Sequence, residues 1–241
     1  MAQNIYDDSD FFAGYSGLKR SQEGLEGAPE WPALRAMLGE VAGRRVLDLG
    51  CGFGWFCRWA KDAGAAAVTG VDLSEKMLAR ARAASDPAIA YRRADLETLQ
   101  LAPGSHDLIY ASLAFHYLQD LDAVMKQIAI ALAPDGRLVF SAEHPMFTAP
   151  LTPGWTETDG RRAWPVDHYL DEGPRTTNWL APGVIKQHRT LATYLNILVR
   201  SGLRLFHAEE WGPSDAQLAA WPALADERQR PTFLLIGARK D

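Results

Sequence analysis

The chain has 241 residues, 47% hydrophobic and 23% charged, enough for one sizeable α/β domain and too apolar for a disordered or fibrous protein. Its 25 Lys and Arg against 30 Asp and Glu leave a net charge of −5, with no field to draw in a phosphate backbone, so nucleic acid is excluded as the main partner. The only two cysteines, Cys51 and Cys57, are too few and too close together to staple a fold, which suggests a reducing, cytoplasmic setting. The first residues carry no basic start and apolar run, and no stretch is apolar enough to cross a bilayer, so neither a leader nor a membrane partner is expected.

Residues 1–30 are polar and Gly-rich, with aromatics at Phe11, Phe12 and Tyr15, and read as a lead-in that folds against something else. Helical spacing over 31–41 puts Trp31, Leu34, Leu38 and Val41 on one face, with Pro32 in the first turn and Gly43 as the stop. An alternation of strands and helices follows: strand 45–49, helix 55–63, strand 67–71, a helix capped by Ser74 and running to about 84, and strand 89–92. It continues through strand 107–111, helix 121–132 and strand 137–142, a rhythm of βαβ units that predicts a parallel sheet. At Pro145 the rhythm breaks. Residues 145–187 are proline-rich and hold Phe147, Trp155, Trp164, Tyr169 and Trp179, too aromatic for disorder and too long for a plain connection. Helix 191–199 and strands 203–209 and 232–238 close the chain, with only 215–220 helical between those strands, as for an antiparallel addition to the sheet.

The densest chemistry is VLDLGCGFGW at 46–55, a strand entering a turn with Gly50, Gly52 and Gly54 and then a helix. Glycines let a ligand lie against the backbone, and the helix N-terminus behind them offers free N–H groups and partial positive charge. A dinucleotide pyrophosphate or a nucleoside bearing an amino-acid carboxylate would suit such a turn. The G-x-G-x-G spacing departs from the dinucleotide G-x-G-x-x-G. Asp72 ends the second strand, where an acid suits ribose hydroxyls, and Asp95 ends the third, where it could accept from an adenine amino group. Asp48 reads as an organiser of the turn, and the two cysteines as packing residues, with no partner at metal-ligand spacing.

The segments LDLGCGFG (47–54), VDLS (71–74), ADL (94–96), DLIY (107–110) and LAPDGRL (132–138) together resemble the class I S-adenosylmethionine-dependent methyltransferases, over roughly residues 40–142. The resemblance implies a doubly wound, seven-stranded, mostly parallel Rossmann-like sheet whose last strand is antiparallel, here with an aromatic-rich cap insertion. The single domain then divides into a lead-in and helix (1–42), a cofactor-binding core (43–144), the cap (145–187) and a C-terminal helix with strands (188–241). It also implies S-adenosylmethionine as cofactor and S-adenosylhomocysteine as product. Gly50 and Gly52 would lie against the methionine part, Asp72 with Leu73 on the ribose, Asp95 and Leu96 at the adenine, and Ala111 and Tyr15 beside them.

For the methyl acceptor, His116 after the fourth strand and His144 after the fifth are the candidate catalytic bases. Trp155, Tyr169, His188 and Arg189 are candidate substrate contacts in and beside the cap, which suits a lid over a small organic acceptor. The tetrapeptide of amide- and base-amine methyltransferases is absent after the fourth strand. Methyl transfer to a small molecule by a monomer or homodimer is the resulting expectation. The alternatives are a nicotinamide-dependent oxidoreductase and a non-catalytic S-adenosylmethionine-binding module.

Overall fold

The computed structural model describes residues 3–241. The lead-in forms a 3₁₀ turn at Ile5–Asp7, then α1 (Ser9–Ser16), capped by the Asp8 carboxylate, and the single turn α2 (Lys19–Gln22). α3 (Trp31–Leu38) buries Trp31, Leu34, Met37 and Leu38 on the expected face. It stops at Gly39 rather than at Gly43: Gly39 takes φ +70°, a Cβ there would meet Arg137 Nη1 at 2.6 Å, and that nitrogen donates to the Met37 carbonyl.

The alternation then runs as β1 (Arg45–Leu49), α4 (Trp55–Asp62), β2 (Ala67–Asp72), α5 (Glu75–Ala83), β3 (Ala90–Arg93), β4 (His106–Ser112), α6 (Leu121–Ala131) and β5 (Leu132–Glu143). Ser74 does cap α5, accepting from the Met77 amide at 3.1 Å. After β5 come α7 (Pro145–Thr148), the strand pair β6 (Thr156–Thr158) and β7 (Arg161–Ala163), the pair β8 (Gly173–Thr177) and β9 (Val184–His188), α8 (Leu191–Arg200), β10 (Leu203–Trp211), α9 (Asp215–Ala220) and β11 (Phe233–Lys240). The cap is thus two antiparallel ribbons, not an irregular loop.

One seven-stranded sheet has the order β10-β11-β5-β4-β1-β2-β3. The last strand, β11, is antiparallel to both of its neighbours and lies second from the edge, between β5 and β10. Each strand of the core sends alternate residues to opposite faces. Leu47, Leu49, Ile109 and Ala111 pack with α6 and α8; Val46, Leu108 and Tyr110 pack with α3, α4 and α5. β1 lies between β4 and β2, so the strand order reverses beside it and opens a crevice at the strand tips. No helix of the described residues is long and apolar enough to cross a membrane.

Candidate active site

The crevice is a cavity of about 340 Å³, the size of a small-molecule site. Gly50, Gly52, Asp72, Leu73, Asp95, Leu96, Tyr15 and His116 all line it, although they come from distant segments of the chain. The glycine turn is held from below: the Gly50 and Cys51 amides donate to the Val71 carbonyl at 2.8 and 3.0 Å. Gly50 and Gly54 adopt φ +76° and +73°, and a Cβ at either would strike Ala114 or the Tyr91 hydroxyl. Both Asp72 oxygens accept backbone N–H groups, Oδ2 from Gly52 and Oδ1 from Ser74, at 2.8 and 2.9 Å. Each oxygen keeps a lone pair. Burial raises the Asp72 pKa and these bonds pull it back. At Asp95, Oδ1 accepts from the Glu97 amide, while Oδ2 is buried without a donor among the described residues. Asp48 lines the cavity floor, accepts from the Cys57 thiol at 3.4 Å, and is pushed by burial to a pKa of about 7.

Beyond β4 the wall changes character. A 3₁₀ turn at Phe115–Tyr117 presents His116 and Tyr117. The Glu143 amide donates to His116 Nδ1 at 3.3 Å, and burial, then the Lys186 and Arg189 charges, hold the ring neutral far below its usual pKa. With Nδ1 accepting, the proton of this neutral ring sits on Nε2. Tyr6 donates to the Tyr117 hydroxyl at 3.2 Å, and burial keeps both phenols protonated. Glu143 Oε1 is ion-paired with Lys186 of β9, the two side chains 12% and 4% exposed, while Oε2 is buried and unpartnered among the described residues. Lys186 Nζ also stands 4.8 Å from the Trp179 ring, and Trp179 and Phe147 roof this end of the cavity.

Six residues expected at the site from the sequence do not line the cavity. Ala111 points to the opposite face of β4 from Tyr110 and Ser112, into the α6–α8 core. His144 spends Nε2 on Glu210 and Nδ1 on the Met146 amide, capping α7. His188 spends both nitrogens on Thr148 Oγ1 and the Tyr169 carbonyl, and the Tyr169 hydroxyl accepts from the Leu191 amide. Trp155 packs edge-on to Trp164 at the base of the β6–β7 ribbon, 5.6 Å between centroids. Arg189 donates to the Leu118 and Gln119 carbonyls, bracing the turn that carries His116. Conversely, Tyr6, Arg20, Glu30, Tyr117, Glu143 and Trp179 line the cavity and carry no motif.

The methyltransferase-domain family matches residues 47–140. An S-adenosylmethionine-dependent methyltransferase from Mesorhizobium loti is 59% identical, with a TM-score of 0.87 over 90% of this chain and 100% of its own. The chain belongs to the S-adenosylmethionine-dependent methyltransferases. A Haemophilus influenzae protein of uncharacterised activity is 34% identical over 98% of this methyltransferase and 97% of its own length. The malonyl-[acyl-carrier protein] O-methyltransferase of Pseudescherichia vulneris is 37% identical, but over only 53% of this chain and 50% of its own. The glycine turn and strand-tip acids thus sit in an enzyme whose cofactor is S-adenosylmethionine, which leaves the nicotinamide and non-catalytic readings without support.

Proposed function

We propose that the enzyme methylates a neutral O–H or N–H group of a small molecule, held between His116, Tyr117 and Glu143. S-adenosylmethionine supplies an electrophilic methyl group on a sulfonium centre. The residues of the crevice fit it: Asp95 Oδ2 is a buried acceptor lacking a donor, which an adenine amino group provides, and Asp72 keeps lone pairs for a ribose diol. Gly50 leaves space that a Cβ would fill against Ala114. Tyr15, Leu73 and Leu96 complete the apolar walls around the adenosine.

At the acceptor end, Glu143 Oε2 accepts the hydrogen bond of the nucleophile and takes its proton, for which a carboxyl with a pKa raised by burial is suited. His116 Nε2–H and the Tyr117 hydroxyl donate to the acceptor and orient it. Phe147 and Trp179 supply aromatic walls at this end, and alignment of acceptor and methyl group there can lower the barrier by about 7–11 kcal/mol. The observation that carries the reading is the unpartnered Glu143 Oε2 beside a cavity of about 340 Å³, a volume typical of a small-molecule site. The half-length match to the malonyl-[acyl-carrier protein] enzyme does not extend its acceptor to this chain.

Incubating the enzyme with methyl-labelled S-adenosylmethionine and a cell extract separated by size tests this. Label in a low-molecular-mass product resolved from S-adenosylmethionine itself, lost in Glu143→Gln, is the expected result. Label confined to protein or nucleic acid contradicts it.

A further inference from the structure

The two ends of the crevice differ in charge. Asp48, Asp72 and Asp95 line the end with the glycine turn. Around the acceptor end stand three buried cations, Lys186, Arg189 and Arg230. Lys186 and Arg189 act on His116, and Lys186 and Arg230 on Glu143. Among the described residues, Lys186 is ion-paired with Glu143 and Arg230 with Glu227, whereas Arg189 has only the Leu118 and Gln119 carbonyls in hydrogen-bond contact. One buried cation is thus left without an ion-pair partner, an arrangement that an incoming negative charge would relieve.

Arg230, in the loop before β11, brings this charge to the cavity wall. Its guanidinium lies 4.6 Å from the ring of Phe147 and 4.3 Å from that of Trp164. Nη2 donates to both Glu227 oxygens at 3.2 and 3.3 Å and to Thr232 Oγ1 at 2.9 Å, while Nε and Nη1 are buried without partners among the described residues. Phe147 and Thr232 both line the cavity. Thr232 is held next to Glu143: its carbonyl accepts from the His144 amide at 2.7 Å, and the following residue, Phe233, is the register partner of Glu143. A hydroxyl that accepts from a guanidinium has its own proton to donate elsewhere, and that proton has no acceptor among the described residues.

We infer that Thr232, backed by Arg230, binds an anionic oxygen of the methyl acceptor, which is therefore a small acid: a molecule bearing a carboxylate or phosphate beside the O–H or N–H that is methylated. This rests on the placement of the acceptor beside Glu143. Glu143 Oε2 can only accept and the Thr232 hydroxyl is left to donate, so the two select a molecule with a donor on one side and an acceptor on the other. The guanidinium behind Thr232 polarises its O–H and strengthens its bond to a negative oxygen in a site of low dielectric. The same contacts would also serve merely to brace α7 against the loop before β11, and the two roles separate by binding.

Formate and inorganic phosphate are the probes, each compared with chloride at equal ionic strength on enzyme saturated with S-adenosylhomocysteine. One of the two is expected to raise the wild-type melting temperature by at least about 2 °C, as ligand linkage implies, and which one does so tells carboxylate from phosphate. The gain is expected to vanish in Thr232→Val, which removes the hydroxyl and keeps the Arg230–Glu227 pair, and to persist in Thr232→Ser. No gain from either probe in the wild type overturns the inference, whether or not the variants fold, and so does an equal gain in Thr232→Val. With methyl-labelled S-adenosylmethionine and a small-molecule extract, the labelled product is expected to be retained on an anion exchanger at neutral pH. Thr232→Val is expected to raise the apparent KM for that extract about tenfold with little change in kcat, the loss of one charge-assisted hydrogen bond. A labelled small molecule that passes unretained overturns this inference and leaves the proposed function standing, whereas label confined to macromolecules overturns both.

Discussion

Asp72 holds the Gly52 and Ser74 amides, and so the shape of the glycine turn, and each of its oxygens keeps a lone pair, which the proposed reading gives to a ribose diol. Asp72→Ala is therefore expected to weaken S-adenosylhomocysteine binding by about tenfold to a hundredfold, since each charge-assisted hydrogen bond contributes about 1.5–3 kcal/mol. A loss in melting temperature without ligand should accompany it, because the turn loses its clamp. Asp48 makes a different, pH-dependent forecast. Burial raises its folded pKa to about 7 from an ordinary 3.8, so the folded state holds a proton that the unfolded chain releases. Its destabilising effect is absent below about pH 4, grows as pH rises, and is complete above about pH 7. The melting temperature of Asp48→Asn minus that of the wild type should therefore climb between those limits and then level off. A difference that stays constant across the range would show that Asp48 does not titrate there.

At the scale of elements, the cap divides into an exposed ribbon and a buried one. Every residue of the β6 and β7 strands is exposed, whereas β8 and β9 bury Arg175, Lys186 and His188. Replacing residues 156–163 by a short turn is expected to leave the fold and S-adenosylhomocysteine affinity unchanged, read by melting and calorimetry. Lys186→Met strands the buried Glu143 carboxylate and is expected to cost about 3–5 kcal/mol of unfolding free energy. Adding Glu143→Gln should restore most of it, a recovery that denaturant titration would measure. The two ribbons are not legible in the sequence, because proline and polar residues interrupt the period-two alternation that marks a half-buried strand. The central strands are, since β1, β2 and β4 are short runs rich in apolar residues. The end of α3 departs from expectation because Gly39 and Gly43 are both credible stops, and the choice depends on Arg137, about a hundred residues away.

For the whole molecule, the end of the crevice that we assign to the cofactor is legible in the sequence, and the end that we assign to the acceptor largely is not. Gly50, Gly52, Asp72 and Asp95 stand at strand tips in motifs of fixed spacing, and the parallel sheet brings such tips to one rim. Glu143 and Tyr117 are placed there only by contacts between distant segments, Lys186 reaching β5 and Tyr6 of the lead-in folding over the tips. His144, His188 and Arg189 look functional in the sequence because their chemistry is visible there, but not the carboxylate, amide, hydroxyl and carbonyls that occupy it. A crystal structure with S-adenosylhomocysteine tests the resulting picture most directly. The adenine should meet Asp95 Oδ2, and the sulfur should face a space bounded by His116, Tyr117 and Glu143. A sulfur turned away from those three residues, towards open solvent, would contradict the placement of the acceptor.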